Sequence, residues 1–143
     1  MAESPNERSV RRYWDEVWSK GNVVAVGEFY APVFQLNGEE TSVERFAENA
    51  QAWLGHFSDF DVEVHKLFVC GGVVVSRVIF RAAHTGDFKT VPATGKTFEQ
   101  SGIDIFEFEA GRVTRHWHET DHWEMFEQLG AEPRPFRARA GWV

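Results

Sequence analysis

Residues 112–121 read RVTRHWHETD and have the composition of a β-strand, because β-branched and aromatic residues are frequent among them. The turn Glu109-Ala110-Gly111 precedes this stretch and marks where the strand begins. Side chains alternate across a strand, so His116, His118 and Thr120 lie on one face. The sequence therefore predicts two imidazoles side by side on a single strand face.

A carboxylate is expected close to these imidazoles. Residues 97–108 predict the preceding strand, and Asp104 lies within it in a largely apolar run. Histidine titrates near neutral pH, and a carboxylate beside it fixes which ring nitrogen carries the proton. We predict that His118 is a general acid/base, that Asp104 is its partner, and that His116 assists. The alternative is a buried polar pair kept for structural reasons, with His116 bonded to the backbone.

Capping signals predict helices in the first third of the chain. Residues 4–7 offer a Ser N-cap, Pro at the first helical position and Glu at the third, and apolar residues with helical spacing follow. Residues 23–29 predict a short helix, and residues 33–36 a short strand closed by Asn37-Gly38. A second capping box, Thr41-Ser42-Val43-Glu44, predicts another helix.

The rest of the chain is mostly strand. Residues 61–70 and 73–83 are separated by Gly71-Gly72, which predicts a hairpin. A loop at residues 86–96 leads to the two strands described above. A last helix is expected at residues 123–129, and a proline- and arginine-rich tail follows at residues 133–143. Helices followed by an antiparallel sheet predict an α+β fold, with residues 1–143 forming one domain.

Bulk composition narrows the class of protein. Hydrophobic residues make up 43% of the chain and aromatic residues 15%, which is enough for a core or for an apolar pocket. The net charge of −7 argues against nucleic-acid and anionic-membrane partners. Cys70 is the single cysteine and is expected to be a buried thiol. No apolar run reaches transmembrane length, so a cytoplasmic protein is expected.

Four short motifs occur in this order along the chain: residues 84–88 (HTGDF), 92–96 (PATGK), 111–117 (GRVTRHW) and 128–130 (QLG). Together they resemble the SnoaL-like polyketide cyclase family of the nuclear transport factor 2-like superfamily. The resemblance implies a cone: a strongly curved, mixed but largely antiparallel sheet wrapped by about three N-terminal helices around a single apolar pocket. It also implies activity without a metal or an organic cofactor. Characterised cyclases of this kind close a ring by intramolecular aldol condensation.

The sequence departs from the family pattern at the acid/base position. The cyclases place a catalytic Asp two residues after the His that matches His116, and this chain has His118 there. On the neighbouring strand, a substrate-contacting His of the cyclases matches Asp104. The acid and the imidazole are therefore exchanged between adjacent strands, which either preserves an acid–base pair with different polarity or marks a different reaction.

A small apolar molecule is the expected ligand, bound in the internal pocket. His84 lies in the HTGDF motif and is either a donor at the pocket rim or a residue that positions the turn. Tyr13 can donate a hydrogen bond to an oxyanion. Asn37 can do the same, although Asn37-Gly38 has the composition of a turn. The residues predicted to bind the ligand are His84, His116, Tyr13, Trp18, Phe34 and Trp53.

A metal site is the competing interpretation of the histidines. His116 and His118 share a strand face, and His122 has the same parity if the strand extends that far. The chain is expected to turn helical at His122, and the family offers no precedent. We therefore predict that no metal is bound.

The functional prediction is a cofactor-independent enzyme of the cyclase, isomerase or dehydratase (lyase) type. It would act on an apolar, polycyclic or ketone-bearing small molecule. The alternatives are a non-catalytic protein that binds a small molecule in the same cone, and a dimerisation module whose cone is filled by its own side chains. The resemblance also implies a homodimer formed through the outer sheet face, where Trp117 is a candidate contact.

Overall fold

The computed structural model describes residues 2–88 and 91–130, and this part of the chain forms four α-helices and one six-stranded sheet. The helices are α1 (Pro5–Tyr13), α2 (Val26–Phe29), α3 (Val43–Leu54) and α4 (His122–Leu129). The strands are β1 (Tyr30–Leu36), β2 (Glu39–Ser42), β3 (Phe57–Cys70), β4 (Val73–His84), β5 (Thr97–Glu109) and β6 (Arg112–Thr120). The predicted tail at residues 133–143 lies outside the described residues.

The helices begin close to where the caps predict. The Ser4 hydroxyl accepts a hydrogen bond from the backbone N–H of Glu7, and α1 continues as a π-helix over Trp14–Ser19. The cap of α3 is Ser42, one residue later than the predicted capping box places it. The reason is that Thr41 pairs with β1, so the chain stays extended through Ser42.

The sheet has the strand order β2-β1-β6-β5-β4-β3. Neighbouring strands are antiparallel except β1 and β6, which run parallel. Strand β2 was not predicted, because it is short and its four residues include two glutamates. Register shifts interrupt the β3–β4 ladder twice and the β5–β6 ladder once, and such bulges bend and twist a sheet. The predicted α+β fold with a curved, mixed sheet is confirmed.

The inner face of the sheet is buried under the helices. In β5 the even-numbered residues from Phe98 to Phe106 are buried, whereas Ile103 and Ile105 on the other face are exposed. The Trp14 side chain packs edge-on against Phe106 and donates a hydrogen bond from Nε1 to the Ser76 hydroxyl. This packing fixes the N-terminal helix across the concave side of the sheet.

Helix α4 closes one end of the sheet. Met125 and Leu129 pack into a second apolar cluster that includes Phe57 and Phe98. The Gln128 side chain accepts a hydrogen bond from Glu99 N and donates one to Glu99 O, which fastens the helix to β5. Gly130 has φ +68° and ends the helix, as the sequence predicts. No helix among the described residues has the length and apolar character needed to cross a bilayer.

The prediction of a buried thiol is wrong. Cys70 is exposed, because it is the last residue of β3 and sits at the hairpin tip opposite Val73. The helices cover the middle of the sheet and do not extend to this tip.

Gly86 should tolerate no side chain. A Cβ atom there would lie 2.6 Å from Gly55 O and 3.1 Å from His56 Cα, and both of these are backbone atoms. The Gly86 N–H also donates to His56 O. We expect Gly86→Ala to destabilise the protein by about 1–3 kcal/mol, the usual range for overpacking, measured by urea unfolding.

Gly27→Ala is the matched control, because a Cβ at Gly27 meets nothing within 4 Å and the residue lies in a helix. This variant should leave the free energy of unfolding unchanged or raise it by up to about 1 kcal/mol. Equal effects of the two variants would show that the contact between Gly86 and the α3–β3 turn carries no strain.

Candidate active site

A cavity of about 360 Å³ lies between the concave face of the sheet and the N-terminal helices. Its volume is within the range of small-molecule sites in proteins. Nine of its lining residues are aromatic or aliphatic, and the other eight are polar. The lining residues are Tyr13, Trp14, Trp18, Leu36, Asn37, Thr41, Phe46, Asn49, Ala50, Trp53, Phe60, Phe80, Gln100, His116, His118, Thr120 and His122.

The predicted pair of His118 and Asp104 meets at this cavity. The two residues are direct cross-strand partners of β6 and β5, and the His118 Nδ1 lies 2.6 Å from the Asp104 Oδ1. The Asp104 side chain is completely buried, whereas 35% of the His118 side chain is exposed. Since His118 lines the cavity and its Nε2 makes no hydrogen bond among the described residues, this nitrogen is available to a ligand.

His116 occupies the buried side of the same carboxylate. Its Nε2 lies 2.7 Å from Asp104 Oδ1, and its Nδ1 lies 2.8 Å from the Tyr30 hydroxyl. The ring also stacks on Phe106 at 4.3 Å between centroids. A neutral His116 with its proton on Nε2 satisfies every partner, because it donates to Asp104 and accepts from Tyr30. His116 therefore bonds side chains and not the backbone.

The three ionisable groups shift one another's pKa values. Burial works to raise the pKa of Asp104, but hydrogen bonds from His116 and His118 and their charges lower it. Burial lowers the pKa of His116 by more than Asp104 raises it. For His118 burial also acts downward, but the hydrogen bond to Asp104 and the charges of Asp104 and Glu119 raise the pKa above its usual 6.5. Asp104 is thus ionised, His116 is neutral, and the pKa of His118 lies above its usual value.

Asn37 holds the backbone of β6 beside His118. Its Oδ1 accepts a hydrogen bond of 2.8 Å from the His118 N–H. This contact fixes the amide orientation, because only the oxygen can accept. Asn37 also has φ +51° and forms the turn with Gly38, as the composition of this dipeptide predicts. The Nδ2 amide hydrogens have no partner among the described residues, and Asn37 lines the cavity.

Tyr13 and Trp18 line the cavity as predicted, and they are bonded to each other. The π-helix places them five residues apart on one side, where Trp18 Nε1 donates to the Tyr13 hydroxyl at 2.9 Å. Burial raises the pKa of Tyr13, against its hydrogen bonds with Tyr30 and Trp18, which lower it. Since its hydroxyl is already engaged by Trp18 and Tyr30, Tyr13 is less suited to bind an oxyanion than the sequence suggests.

Two residues predicted to bind the ligand do not line the cavity. The His84 Nδ1 accepts a hydrogen bond from the Thr94 N–H and contacts the Thr94 hydroxyl, so His84 positions the loop that follows β4. Phe34 is buried between Tyr30 and Phe46 in the core behind the cavity wall. Trp53, in contrast, does line the cavity.

Asp104, His116 and His118 are also the residues that could hold a metal ion, since their ligand atoms all lie within 4.8 Å of one another. Both imidazoles, however, contact the same oxygen at 2.6 and 2.7 Å, which are hydrogen-bond distances. Two ligands of one tetrahedral zinc ion lie roughly 3.3 Å apart, as follows from bonds of about 2.0–2.1 Å. His122, the third ligand of the competing metal interpretation, lies on α4 and is hydrogen-bonded to Gln100 and Thr120.

Several functional residues were missed from the sequence. Gln100 shares the inner face of β5 with Asp104, so the same alternation that placed Asp104 could have placed it there. Tyr30 reaches His116 only because β1 pairs with β6, a contact between residues 86 positions apart that no local pattern indicates. Trp14, Phe46, Phe60 and Phe80 complete the apolar wall.

Comparison with known proteins gives one family. The model of the SnoaL-like polyketide cyclase family matches residues 8–129. A protein from Acidithiobacillus ferrooxidans, described as a candidate polyketide cyclase, is 28% identical in sequence; its crystal structure aligns over 91% of this chain and 97% of that chain with a TM-score of 0.84. No match was found among curated proteins.

Two further solved structures are similar. IdmH from Streptomyces antibioticus, also described as a candidate polyketide cyclase, is 25% identical over 90% of this chain and 100% of that chain, with a TM-score of 0.78. TsrD from Streptomyces laurentii is 23% identical over 92% of this chain and 100% of that chain, with a TM-score of 0.81. The likeness to TsrD shows a shared fold.

Proposed function

The chain belongs to the SnoaL-like polyketide cyclase family, and from that membership we propose that it is a cofactor-independent acid–base enzyme. Its substrate would be an apolar, ketone-bearing, polycyclic small molecule. The observation that carries the proposal is that His118 lines the cavity, with no hydrogen bond at its Nε2 among the described residues, while its Nδ1 is bonded to a fully buried carboxylate. A protein that only binds a ligand, or a cone filled by its own side chains, has no need of this arrangement.

The first step is removal of a proton from the carbon next to the ketone. Asp104 accepts the Nδ1–H of His118, so in neutral His118 the lone pair is on Nε2, where it faces the cavity. His118 takes the proton on Nε2 and becomes an imidazolium paired with the Asp104 carboxylate. His116 donates to the same carboxylate oxygen and holds it in place. The pair thus stabilises the charge that proton transfer creates.

The second requirement is a donor for the enolate oxygen. The Nδ2 of Asn37 is the candidate, because the Asn37 Oδ1 is fixed on the His118 N–H and the side chain lines the cavity. An amide N–H aimed at developing negative charge in an apolar site contributes strongly to such reactions. The enolate then attacks a second carbonyl of the same molecule, is reprotonated at another carbon, or expels a hydroxyl group from the neighbouring carbon. The His118 imidazolium returns its proton to the new alkoxide, to that other carbon, or to the departing hydroxyl, which leaves as water. These outcomes are cyclisation, isomerisation and dehydration.

An exchange experiment tests the shared first step without the natural substrate. Incubation of α-tetralone with the protein in deuterated buffer should replace the hydrogens next to its ketone with deuterium, and proton NMR follows the loss of signal. We expect exchange well above the buffer rate. If a panel of enolisable bicyclic and tricyclic ketones exchanges no faster with the protein than without it, the chain is a binding protein with the same cone.

Chelation should leave this exchange unchanged. The hydrogen bonds of Asp104 use the nitrogens that a metal would need, and the family resemblance implies activity without metal. We expect the rate after EDTA treatment to lie within experimental error of the untreated rate, and elemental analysis to find far less than one equivalent of zinc or iron. One equivalent of either metal, lost together with activity, would make Asp104, His116 and His118 ligands instead.

A homodimer formed through the outer sheet face is also proposed. Four apolar residues form a continuous cross-strand row on this face: Phe68, Val75, Ile105 and Trp117. Phe68 is 61% exposed and Trp117 is 42% exposed. A row of exposed apolar side chains in a single chain is typical of a surface that another protein chain covers. Light scattering should give about twice the chain mass of 16.4 kDa.

Trp117→Lys should shift the measured mass toward that of the monomer, because it places a charge within this apolar row. Val24→Lys is the control, since Val24 is 78% exposed and lies in the turn before α2, outside the sheet. A monomeric mass for the unmodified protein at micromolar concentration would contradict the proposal.

A further inference from the structure

The cavity wall carries a second set of polar side chains that the proposed acid–base chemistry does not use. We call it the Gln100 group, and it consists of Gln100 on β5, Thr120 on β6 and His122 at the start of α4. All three residues line the cavity, and Gln100 is only 3% exposed. A buried amide in an aromatic wall costs free energy unless its polar atoms are paired, so its partners reveal its role.

The hydrogen bonds within the Gln100 group run in one direction. Gln100 Nε2 donates to His122 Nδ1 at 3.1 Å, so the ring proton of His122 is on Nε2, from where it reaches Thr120 Oγ1 at 3.2 Å. No hydrogen bond among the described residues uses the Gln100 Oε1 or the Thr120 hydroxyl hydrogen. Among the described side chains, only His84 and Asp104 contain a solvent-inaccessible polar atom that lacks a hydrogen-bond partner. The Gln100 Oε1 is not such an atom, so it is accessible from the cavity that Gln100 lines. One acceptor and one donor therefore remain for a ligand.

We propose that Gln100 Oε1 and the Thr120 hydroxyl bind a hydroxyl group of the substrate at the end remote from the reacting ketone. The proposal rests on the proposed function, since it assumes that the ketone lies at His118. Thr120 is two residues from His118 and Gln100 is four residues from Asp104, which along strands is roughly 7 Å and 13 Å. A ring system with an oxygen group at each end spans the shorter of these distances.

The pairing selects a hydroxyl group in particular. A hydroxyl donates to Gln100 Oε1 and accepts from the Thr120 hydroxyl, whereas a methoxy group can only accept. A hydrogen atom in the same place leaves both protein atoms without a partner in a largely apolar wall. Sites built to hydrogen-bond a substrate hydroxyl discriminate strongly against analogues that lack it, because their own polar groups are then left unpaired.

Three bicyclic ketones test this preference directly. The probes are α-tetralone, its derivative with a hydroxyl para to the carbonyl, and the corresponding methoxy compound. Isothermal titration calorimetry gives the dissociation constant of each. Two neutral hydrogen bonds should make the hydroxy compound bind about 10-fold tighter than α-tetralone, and the methoxy compound should bind no tighter than α-tetralone.

Variants locate the preference in the Gln100 group. Gln100→Leu and Thr120→Val keep the size of the side chains, and each should reduce the 10-fold ratio to about 3-fold or less. Because Gln100 is buried, Thr120→Val provides the second reading if Gln100→Leu folds poorly. Asn49→Leu is the matched control: it removes an amide from the cavity wall outside the Gln100 group and should leave the ratio unchanged.

The two proposals fail in different ways. Equal affinities for the three ketones, no binding of any of them, or a ratio unaffected by both variants would overturn the hydroxyl site. Binding with the expected ratio but without deuterium exchange would support the hydroxyl site and overturn the acid–base function. Deuterium exchange without the expected ratio of dissociation constants would support the acid–base function and overturn the hydroxyl site.

Discussion

His118→Ala should lower the rate of ketone exchange by about 10²–10⁴, the usual range for loss of a general acid or base. The substitution removes the nitrogen that faces the cavity and leaves Asp104 bonded to His116, so the fold should persist. The measurement is the deuterium exchange rate per enzyme molecule, compared with far-ultraviolet circular dichroism and the urea midpoint of the same variant. If His118→Ala leaves the exchange rate unchanged, His118 and Asp104 have only a structural role.

Two further substitutions sharpen this result. His65→Ala is the matched control, because it removes an exposed imidazole that contacts Arg77 on the outer side of the sheet. It should leave the exchange rate unchanged. His118→Asp restores the acid of the family pattern, but it places two carboxylates next to each other with Asp104. One of them should then have a raised pKa, and exchange should recover in part.

The geometry around Asp104 explains why the exchanged positions of acid and imidazole can still give a working pair. In a β-ladder, cross-strand partners have side chains on the same face, so the acid–base contact is the same whichever strand carries the acid. Exposure is not symmetric, however: Asp104 is completely buried and His118 is partly open. In this chain the imidazole, and not the carboxylate, therefore lines the cavity.

Local patterns were sufficient for the part of the site that lies on β5 and β6. Strict alternation along a strand assigned the faces, and the turn at residues 109–111 brought Asp104 and His118 opposite each other. Capping signals located α1 and α3 to within one residue for the same reason, since a cap depends on neighbours in sequence.

Contacts between distant parts of the chain were beyond those patterns. Whether His84 lines the cavity depended on whether the loop after β4 folds back over it. The loop does fold back, because the Thr94 N–H donates to His84 Nδ1. Phe34 alternates correctly for an inner-face residue, but Tyr30 and Phe46 enclose it and keep it from the cavity. The parallel pairing of β1 with β6 brings Tyr30 to His116, and nothing within either strand indicates that partner.

Asp104→Asn should lower the rate of exchange by about 10- to 100-fold and change its pH dependence. The imidazolium formed at His118 would lose a charged acceptor, and hydrogen bonds to charged groups contribute about 1.5–3 kcal/mol, which corresponds to that range. Neutral His118 is the base, so kcat/KM rises with pH through the His118 pKa, which Asp104 raises above 6.5. Without the carboxylate only burial remains as a large effect, and burial lowers that pKa. The rise in kcat/KM should therefore occur at lower pH in the variant.

This shift is measured by following the exchange rate of the unmodified protein and of Asp104→Asn from pH 5 to pH 9. A double variant tests whether His118 and Asp104 act together. Because the two residues act as a unit, His118→Ala with Asp104→Asn should be little slower than His118→Ala alone. Asp61→Asn, which changes an exposed carboxylate on β3, should alter neither the rate nor the profile. A rate loss in Asp104→Asn without movement of the profile would mean that Asp104 only maintains the fold around His116. A midpoint that moves to lower pH shows that the Asp104 charge sets the pH at which His118 gains its proton, and the accompanying rate loss links that charge to the proton transfer.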